Sequence, residues 1–319
     1  MRVATIDIGT NTVLLLVAER GASGQLVPVE EHATITRLGQ GVDKTRVLAP
    51  EAVARTNICL DGYAEVVKRL GADKVAVVGT SAMRDAGGGD AVRAHVKSRF
   101  GVEARTISGD EEARLTFAGA LSGLTVPGDG RVVVFDIGGG STEVVDGDRA
   151  TRAIGYAHSY DVGSVRLTER HVHDDPPSDA EREAVSRAAR DAFASVPDSV
   201  RGVPVVGIAG TITTLAAVSL GMKDYDAARI HGFTFEVREL QRVVELLARV
   251  PLAERTKIPG LEPKRADVIV AGGMVALAFL ARAGASALMV SDRGVRWGLA
   301  EELAASSIDD AIKALPTAL

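Results

Sequence analysis

The 319-residue sequence has one cysteine, Cys59, and only 4% aromatic residues. A lone cysteine excludes a disulfide framework and a cysteine-based zinc site, and it fits a reducing cytosol. An excess of one charge is also lacking: 37 Lys and Arg against 42 Asp and Glu leave a net charge of −5. That balance argues against nucleic-acid binding by bulk attraction, although it says nothing about individual clefts. Long hydrophobic runs are missing too. Stretches such as Val13–Ala18 fall far short of the ~20 residues a membrane-spanning helix needs. The apolar stretch after Arg2 is broken by Asp7 and Asn11, with no convincing small-residue cleavage site beyond, so it does not read as a secretion signal. There is no G-x-x-x-x-G-K-[ST] loop, no G-x-G-x-x-G fingerprint and no G-x-S-x-G elbow. The expected setting is the cytoplasm, with neither membrane nor nucleic acid as partner.

What is present is an α/β pattern with 46% hydrophobic residues, enough for two cores. Val3–Ile6, Val13–Val17, Val29–Leu38, Val75–Val78 and Val102–Ile107 read as strands. Glu51–Leu70 and Asp90–Phe100 read as helices, closed by Gly71 and Gly101. After the turn cluster Val126–Gly130, strands are expected at Val132–Phe135 and Val144-Val145, the latter entering a hairpin turn at Asp146-Gly147-Asp148. Ser178 and Glu181 form a capping box that opens a helix of about four turns. A strand at Val203–Ile208 and helices at Thr211–Leu220, Val237–Val250 and Ala266–Ala283 follow. The chain closes with a strand at Leu288–Val290, a helix at Gly294–Leu303 and a short helical piece at Ile308–Leu315. Strands alternating with helices argue for parallel sheets.

The most informative feature is a repeat. Val3–Ile6 followed by Asp7-Ile-Gly9-Thr10-Asn11-Thr12 returns, 129 residues on, as Val132–Phe135 followed by Asp136-Ile-Gly138-Gly139-Gly140-Ser141. Two halves opening alike imply two domains, at 1–125 and 126–305, with a C-terminal helix in 306–319 a candidate to complete the first. Glycine lets a backbone approach a ligand, and successive N–H groups make an anion site. Thr10, Thr12, Ser141 and Thr142 add hydroxyl donors, and Asp7 and Asp136 are placed to hold a hydrated Mg²⁺ bridging phosphate oxygens. Gly207-Ile-Ala-Gly210-Thr211 leaves a strand and opens a helix, a further anion site. Arg84, after the strand at Val75–Val78, offers a planar fork to a phosphate. Ser108 and Glu111 have capping-box spacing, whereas Glu112 has no such explanation and stands free to orient and deprotonate a water. His171 and His173 read as residues of a solvated loop.

Together these segments resemble the actin-like phosphotransferase superfamily and, within it, the exopolyphosphatase/guanosine pentaphosphate phosphohydrolase (Ppx/GppA) family. The resemblance rests on both Asp-Ile-Gly turns, on Gly79–Ala86, Ile107–Leu115, Gly207–Thr211, Arg265–Ile269 and Ser291–Gly298, in the family's order. It implies two ribonuclease-H-like domains around a cleft and Mg²⁺-dependent hydrolysis of a terminal phosphoanhydride, with Mn²⁺ an alternative ion. By position, Glu112 matches the family's catalytic base and Arg84 its phosphate-binding arginine. Asp136 and Glu143 match the metal-region carboxylates, joined here by Asp7. Gly138, Ser141 and Gly210 match the phosphate loops, with Asn11 in the first loop, and Gly139 and Gly140 are phosphate-binding candidates beside them. Trp297 departs from the family's usual Glu. The length fits the short, two-domain type. The expected substrate is inorganic polyphosphate, with guanosine pentaphosphate the nearest alternative. A kinase of the same superfamily and a non-catalytic polyphosphate or alarmone sensor are the other readings, and a homodimer is left open.

Overall fold

The computed structural model describes every residue except Ser23, Asp129 and 306–319. The expected helical piece at Ile308–Leu315 and the proposed completing helix therefore lie outside the described residues.

The first half runs β1 (Arg2–Ile8), β2 (Thr12–Arg20), β3 (Leu26–Ile35), α1 (Val42–Thr45), α2 (Pro50–Leu70), β4 (Lys74–Gly79), α3 (Ser81–Asp85), α4 (Asp90–Phe100), β5 (Ala104–Thr106) and α5 (Gly109–Ala120). The second runs β6 (Arg131–Ile137), β7 (Thr142–Asp148), β8 (Ile154–Tyr160), α6 (Ser164–His171), α7 (Asp179–Phe193), β9 (Val205–Ile208), α8 (Ala209–Ser219) and α9 (Ala227–Ile230). It ends with β10 (Thr234–Glu236), α10 (Val237–Arg249), α11 (Leu252–Arg255), α12 (Ile269–Ala283), β11 (Ala287–Val290) and α13 (Val295–Ala305).

The repeat in sequence is a repeat in topology. The first sheet has the order β3-β2-β1-β4-β5, and the second, read from β8, has β8-β7-β6-β9-β11 with β10 added at its edge. In both, the opening hairpin is antiparallel and its first strand then pairs in parallel with the strand beyond it. This is a pair of ribonuclease-H-like α/β halves, as the resemblance implies.

Two helices tie the sheets together. Ala113, Phe117 and Ala120 of α5 pack on Val132, Val134 and Val145 of the second sheet. Trp297 and Ala300 of α13 pack on Val3, Leu16 and Ala18 of the first. The helices meet where neither has a side chain: a Cβ on Gly119 would lie 2.1 Å from the Gly294 carbonyl oxygen, and one on Gly298 would lie 2.0 Å from that of Leu115. Trp297 is thus a packing residue, with the Arg293 guanidinium 4.0 Å over its ring.

Three local expectations need correction. The strand expected at Val29–Leu38 is β3, which begins at Leu26 and stops at Ile35. It stops because the Thr36 and Arg37 amides both turn to the Asn11 carbonyl, with Arg37 at φ 53°. Asp146-Gly147-Asp148 is not a turn but the end of β7. Gly147 is required there because a Cβ would meet the Phe117 ring at 2.7 Å. The turn comes next, where Asp148 Oδ1 accepts from the amides of Ala150 and Thr151. At α5, Ser108 caps the Glu111 amide at 3.1 Å, but the Glu111 carboxylate pairs with Arg105, so only half of that capping box forms. At Ser178 and Glu181 both halves form.

Candidate active site

The two Asp-Ile-Gly turns are built alike. In the first, the Gly9 amide donates to the Thr12 carbonyl at 3.0 Å; in the second, the Gly138 amide donates to the Ser141 carbonyl at 3.0 Å. Each loop then has carbonyls tied back by the segment that follows. Thr10 O accepts from Gly39 N at 2.8 Å, and Asn11 O accepts from Thr36 N and Arg37 N. Gly138 O accepts from Ser164 N, and Gly139 O from Val165 N and Arg166 N, all at the start of α6. With those carbonyls occupied, the loops have amide donors to offer an anion.

The loops face each other across a cleft of about 920 Å³. Its walls bring together Asp7, Thr10, Asn11, Thr12, Glu112, Asp136, Gly138, Gly139, Ser141, Gly210 and Thr211, drawn from both halves. Glu112 is 6% exposed, in the first turn of α5, and its Oε2 accepts from Arg84 Nη1 at 3.1 Å. Arg84, at the end of α3, also reaches the Ile107 carbonyl at 3.3 Å and Asp85 at 3.4 Å. Glu143 lies behind the wall, opposite Asp136 in the β6–β7 ladder, with Oε1 accepting from Ser159 at 2.7 Å. Gly140 borders a smaller cavity behind the loops. Thr142 does not face the cleft: its hydroxyl donates to the Val162 carbonyl at 2.6 Å. Thr10 and Ser81 share a hydrogen bond of 2.7 Å.

Several cleft residues have no signature of a role in the sequence. Arg265 donates to Thr12 Oγ1 at 3.1 Å, joining the halves at the mouth. Its guanidinium occupies the space a Cβ on Gly210 would take, 2.2 Å away. Arg296 lines the same cleft and pairs with Glu31 at 2.6 Å. Both arginines lie in segments that carry the family resemblance, but an isolated arginine has no local signature of a role. Ala209, beside Gly210, holds φ at 65°, a left-handed conformation that costs a residue with a side chain about 1–2 kcal/mol.

The electrostatics are those of crowded acids. Burial, opposed by Arg296 and reinforced by Glu143, pushes the Asp7 carboxyl up to about 7. Burial and the neighbouring Glu143 and Asp7 raise Glu112 and Asp136 well above the ordinary carboxylate range, with Arg84 opposing at Glu112. Glu143 is raised by burial as well. Asp7 Oδ1 and both side-chain polar atoms of Asn11 are buried without a hydrogen-bond partner. Unpartnered acceptors among repelling carboxylates suit a divalent cation. Among the described residues no three acidic, His or Cys side chains form a metal cage. Mg²⁺ commonly takes one or two carboxylates and completes its shell with water and phosphate oxygens. Asp7 and Asp136 on the cleft wall fit that pattern, with Glu143 behind them.

The family model of the Ppx/GppA phosphatases matches residues 16–306. The chain belongs to the Ppx/GppA phosphatase family. It is 41% identical to exopolyphosphatase 2 of Mycobacterium tuberculosis, over 95% of this chain and 98% of that protein. It is 28% identical to a guanosine-5'-triphosphate,3'-diphosphate pyrophosphatase of Vibrio atlanticus, over 94% of this chain and 59% of that one. The Aquifex aeolicus family member superposes with a TM-score of 0.78 at 30% identity, over 98% of both chains. Among the described residues, no Ppx/GppA helix of this chain is long and apolar enough to cross a membrane.

Proposed function

We propose that this protein is an exopolyphosphatase that hydrolyses the terminal phosphoanhydride of inorganic polyphosphate and releases orthophosphate. The observation that carries the reading is a buried carboxylate, Glu112, set beside Arg84 and facing two amide-rich loops across one cleft. The similarity to an exopolyphosphatase along nearly the whole chain supports it.

In this reading the terminal phosphoryl group lies between the turns at Gly9 and Gly138, held by loop amides, by Asn11 and Ser141, and by Arg84. Asn11 supplies an amide with no competing partner inside the protein. Glu112 orients a water and takes its proton as the water oxygen bonds to the terminal phosphorus. The bridging P–O bond on the opposite side breaks, and its electron pair leaves with the shortened chain. Burial and neighbouring acids raise the Glu112 carboxyl above its ordinary range, the direction that makes a carboxylate a stronger base. A bound divalent cation, Mg²⁺ or Mn²⁺, would supply charge neutralisation at the phosphoryl oxygens. Asp7 and Asp136 would hold it. Because charge spreads over those oxygens in the transition state, positioned donors supply most of the catalysis. The buried Cys59 thiol, raised by burial, fits action in the cytoplasm.

A second reading, guanosine pentaphosphate as substrate, is favoured by the exposed Tyr225 ring, which lines the same cleft. Both readings are tested by measuring phosphate release from long polyphosphate, short polyphosphate and guanosine pentaphosphate, with and without Mg²⁺. Glu112→Gln should lose on the order of 10²–10⁴ in rate. Release at the wild-type rate by that variant sinks the base assignment, and release from guanosine pentaphosphate alone makes the second reading the right one.

A further inference from the structure

A cluster of ion pairs lies behind the phosphate loops, where α6 of the second half docks on the first. The Arg166 side chain is 10% exposed; it donates to Asp85 Oδ2 at 3.3 Å and approaches Asp161 at 3.2 Å and Asp43 at 4.0 Å. Arg170, one turn on, holds both oxygens of Asp43, and Glu169 accepts from the Gly41 amide at 2.9 Å. The cluster borders the small cavity walled by Thr10, Ser81, Gly139 and Gly140.

Two links make this more than a seam. Asp85 directly follows Arg84, and its Oδ1 lies 3.4 Å from Arg84 Nε while Arg84 Nη1 reaches Glu112. Arg166 is bound to a phosphate loop through its own backbone, its amide donating to the Gly139 carbonyl at 3.0 Å. One residue of the second half therefore holds a phosphate loop with its main chain. Its side chain holds the carboxylate that flanks the phosphate-binding arginine of the first half.

We infer that Asp85 and Arg166 are positioning residues that make the aim of the Arg84 guanidinium depend on the docking of the two halves. Arg84 sits between two carboxylates. If Glu112 were its only carboxylate partner, the cation would settle on the base, neutralise it and withdraw from the phosphate. Asp85 at the Nε edge opposes the pull of Glu112 and the Ile107 carbonyl on Nη1, so the guanidinium is not committed to the base and can turn to substrate. Asp85 is itself fixed by Arg166, so an undocked α6 releases Arg84. The pair is shielded from solvent on the Arg166 side, where screening by salt is weaker than at a surface bridge.

The inference rests on Arg84 binding phosphate, and the test separates the two. Phosphate release from polyphosphate is measured for Asp85→Asn and Arg166→Gln, each in the wild type and in an Arg84→Ala background. Residues acting through one another give non-additive penalties. Each variant should lose roughly tenfold in kcat/KM in the wild type and nothing further once Arg84 is gone. Equal losses in both backgrounds, or none in the wild type, overturn the inference and leave the function reading intact. Arg84→Ala as active as wild type overturns the inference together with the phosphate-binding role of Arg84, and a wild type that releases no phosphate overturns the function reading as well. Circular-dichroism melting confirms folding. If Asp85→Asn does not fold, Arg166→Gln carries the same cycle, because it leaves Asp85 in place.

Discussion

At the scale of the residue, the acids of the cleft are balanced against one another. Asp7, at about 7 in the folded chain against an ordinary value of 3.8, binds more protons folded than unfolded between those limits. Its contribution to stability is therefore full below about pH 4 and is lost as pH rises through about 7. In the absence of divalent cations, the melting temperature should fall across that window. Asp7→Asn should flatten the fall and raise the melting temperature at pH 8 by about 2–5 °C. A variant that melts lower than wild type at pH 8 in chelator would refute this balance. Asp7, Glu112 and Asp136 were legible in the sequence because a carboxylate beside a glycine turn, or one unexplained by capping, has a local signature. Arg265 and Arg296 have none. In the sequence Ser141 and Thr142 form a pair of hydroxyl donors, yet neighbours at the start of a strand face opposite ways, so only Ser141 reaches the cleft.

At the scale of the element, the site depends on how closely α5 approaches α13. Glu112 opens the helix whose Gly119 lies against the Gly294 carbonyl. Gly119→Ala must push the helices apart, and overpacking of this kind costs about 1–3 kcal/mol. The denaturation midpoint should drop accordingly at unchanged slope, and phosphate release should fall because Glu112 moves with its helix. An unchanged midpoint would mean the contact has slack. Helices with clear periodicity and stop signals were readable: Asp90–Phe100 is α4 from end to end, and Glu51–Leu70 differs from α2 by one residue. β8 and α6 were not foreseen. β8 is an edge strand with Gly155, His158 and Ser159, and α6 is only eight residues long. Neither has a strong pattern of its own, and both are settled by what they pack against.

At the scale of the whole molecule, the halves are fastened at the back by α6 and at the mouth by polar contacts. Arg37 grips both oxygens of Asp267 at 2.7 and 2.9 Å, and Arg265 reaches Thr12. The Arg37 pair is partly exposed, so Arg37→Ala should cost about 1 kcal/mol or less in stability. It should nevertheless open the ligand-free cleft, seen as a larger radius of gyration by small-angle X-ray scattering. An identical scattering curve would show that the mouth is held by other contacts. The doubling of the molecule was legible from the repeated turn, since both sheets carry the same strand order. What could not be read was that α13, far along the chain, lies on the first sheet. An apolar helix face matches either sheet, and only the assembled surfaces decide.

That placement governs the order of events during synthesis. The face formed by Val3, Leu16 and Ala18 is translated within the first turn-bearing hairpin, but its cover, Trp297 and Ala300, follows almost three hundred residues later. At the roughly 5–20 residues per second of translation, the nascent first sheet carries an uncovered apolar surface for tens of seconds. A chain stalled or cut before α13 therefore keeps that surface bare, which makes it a target for chaperones and proteases.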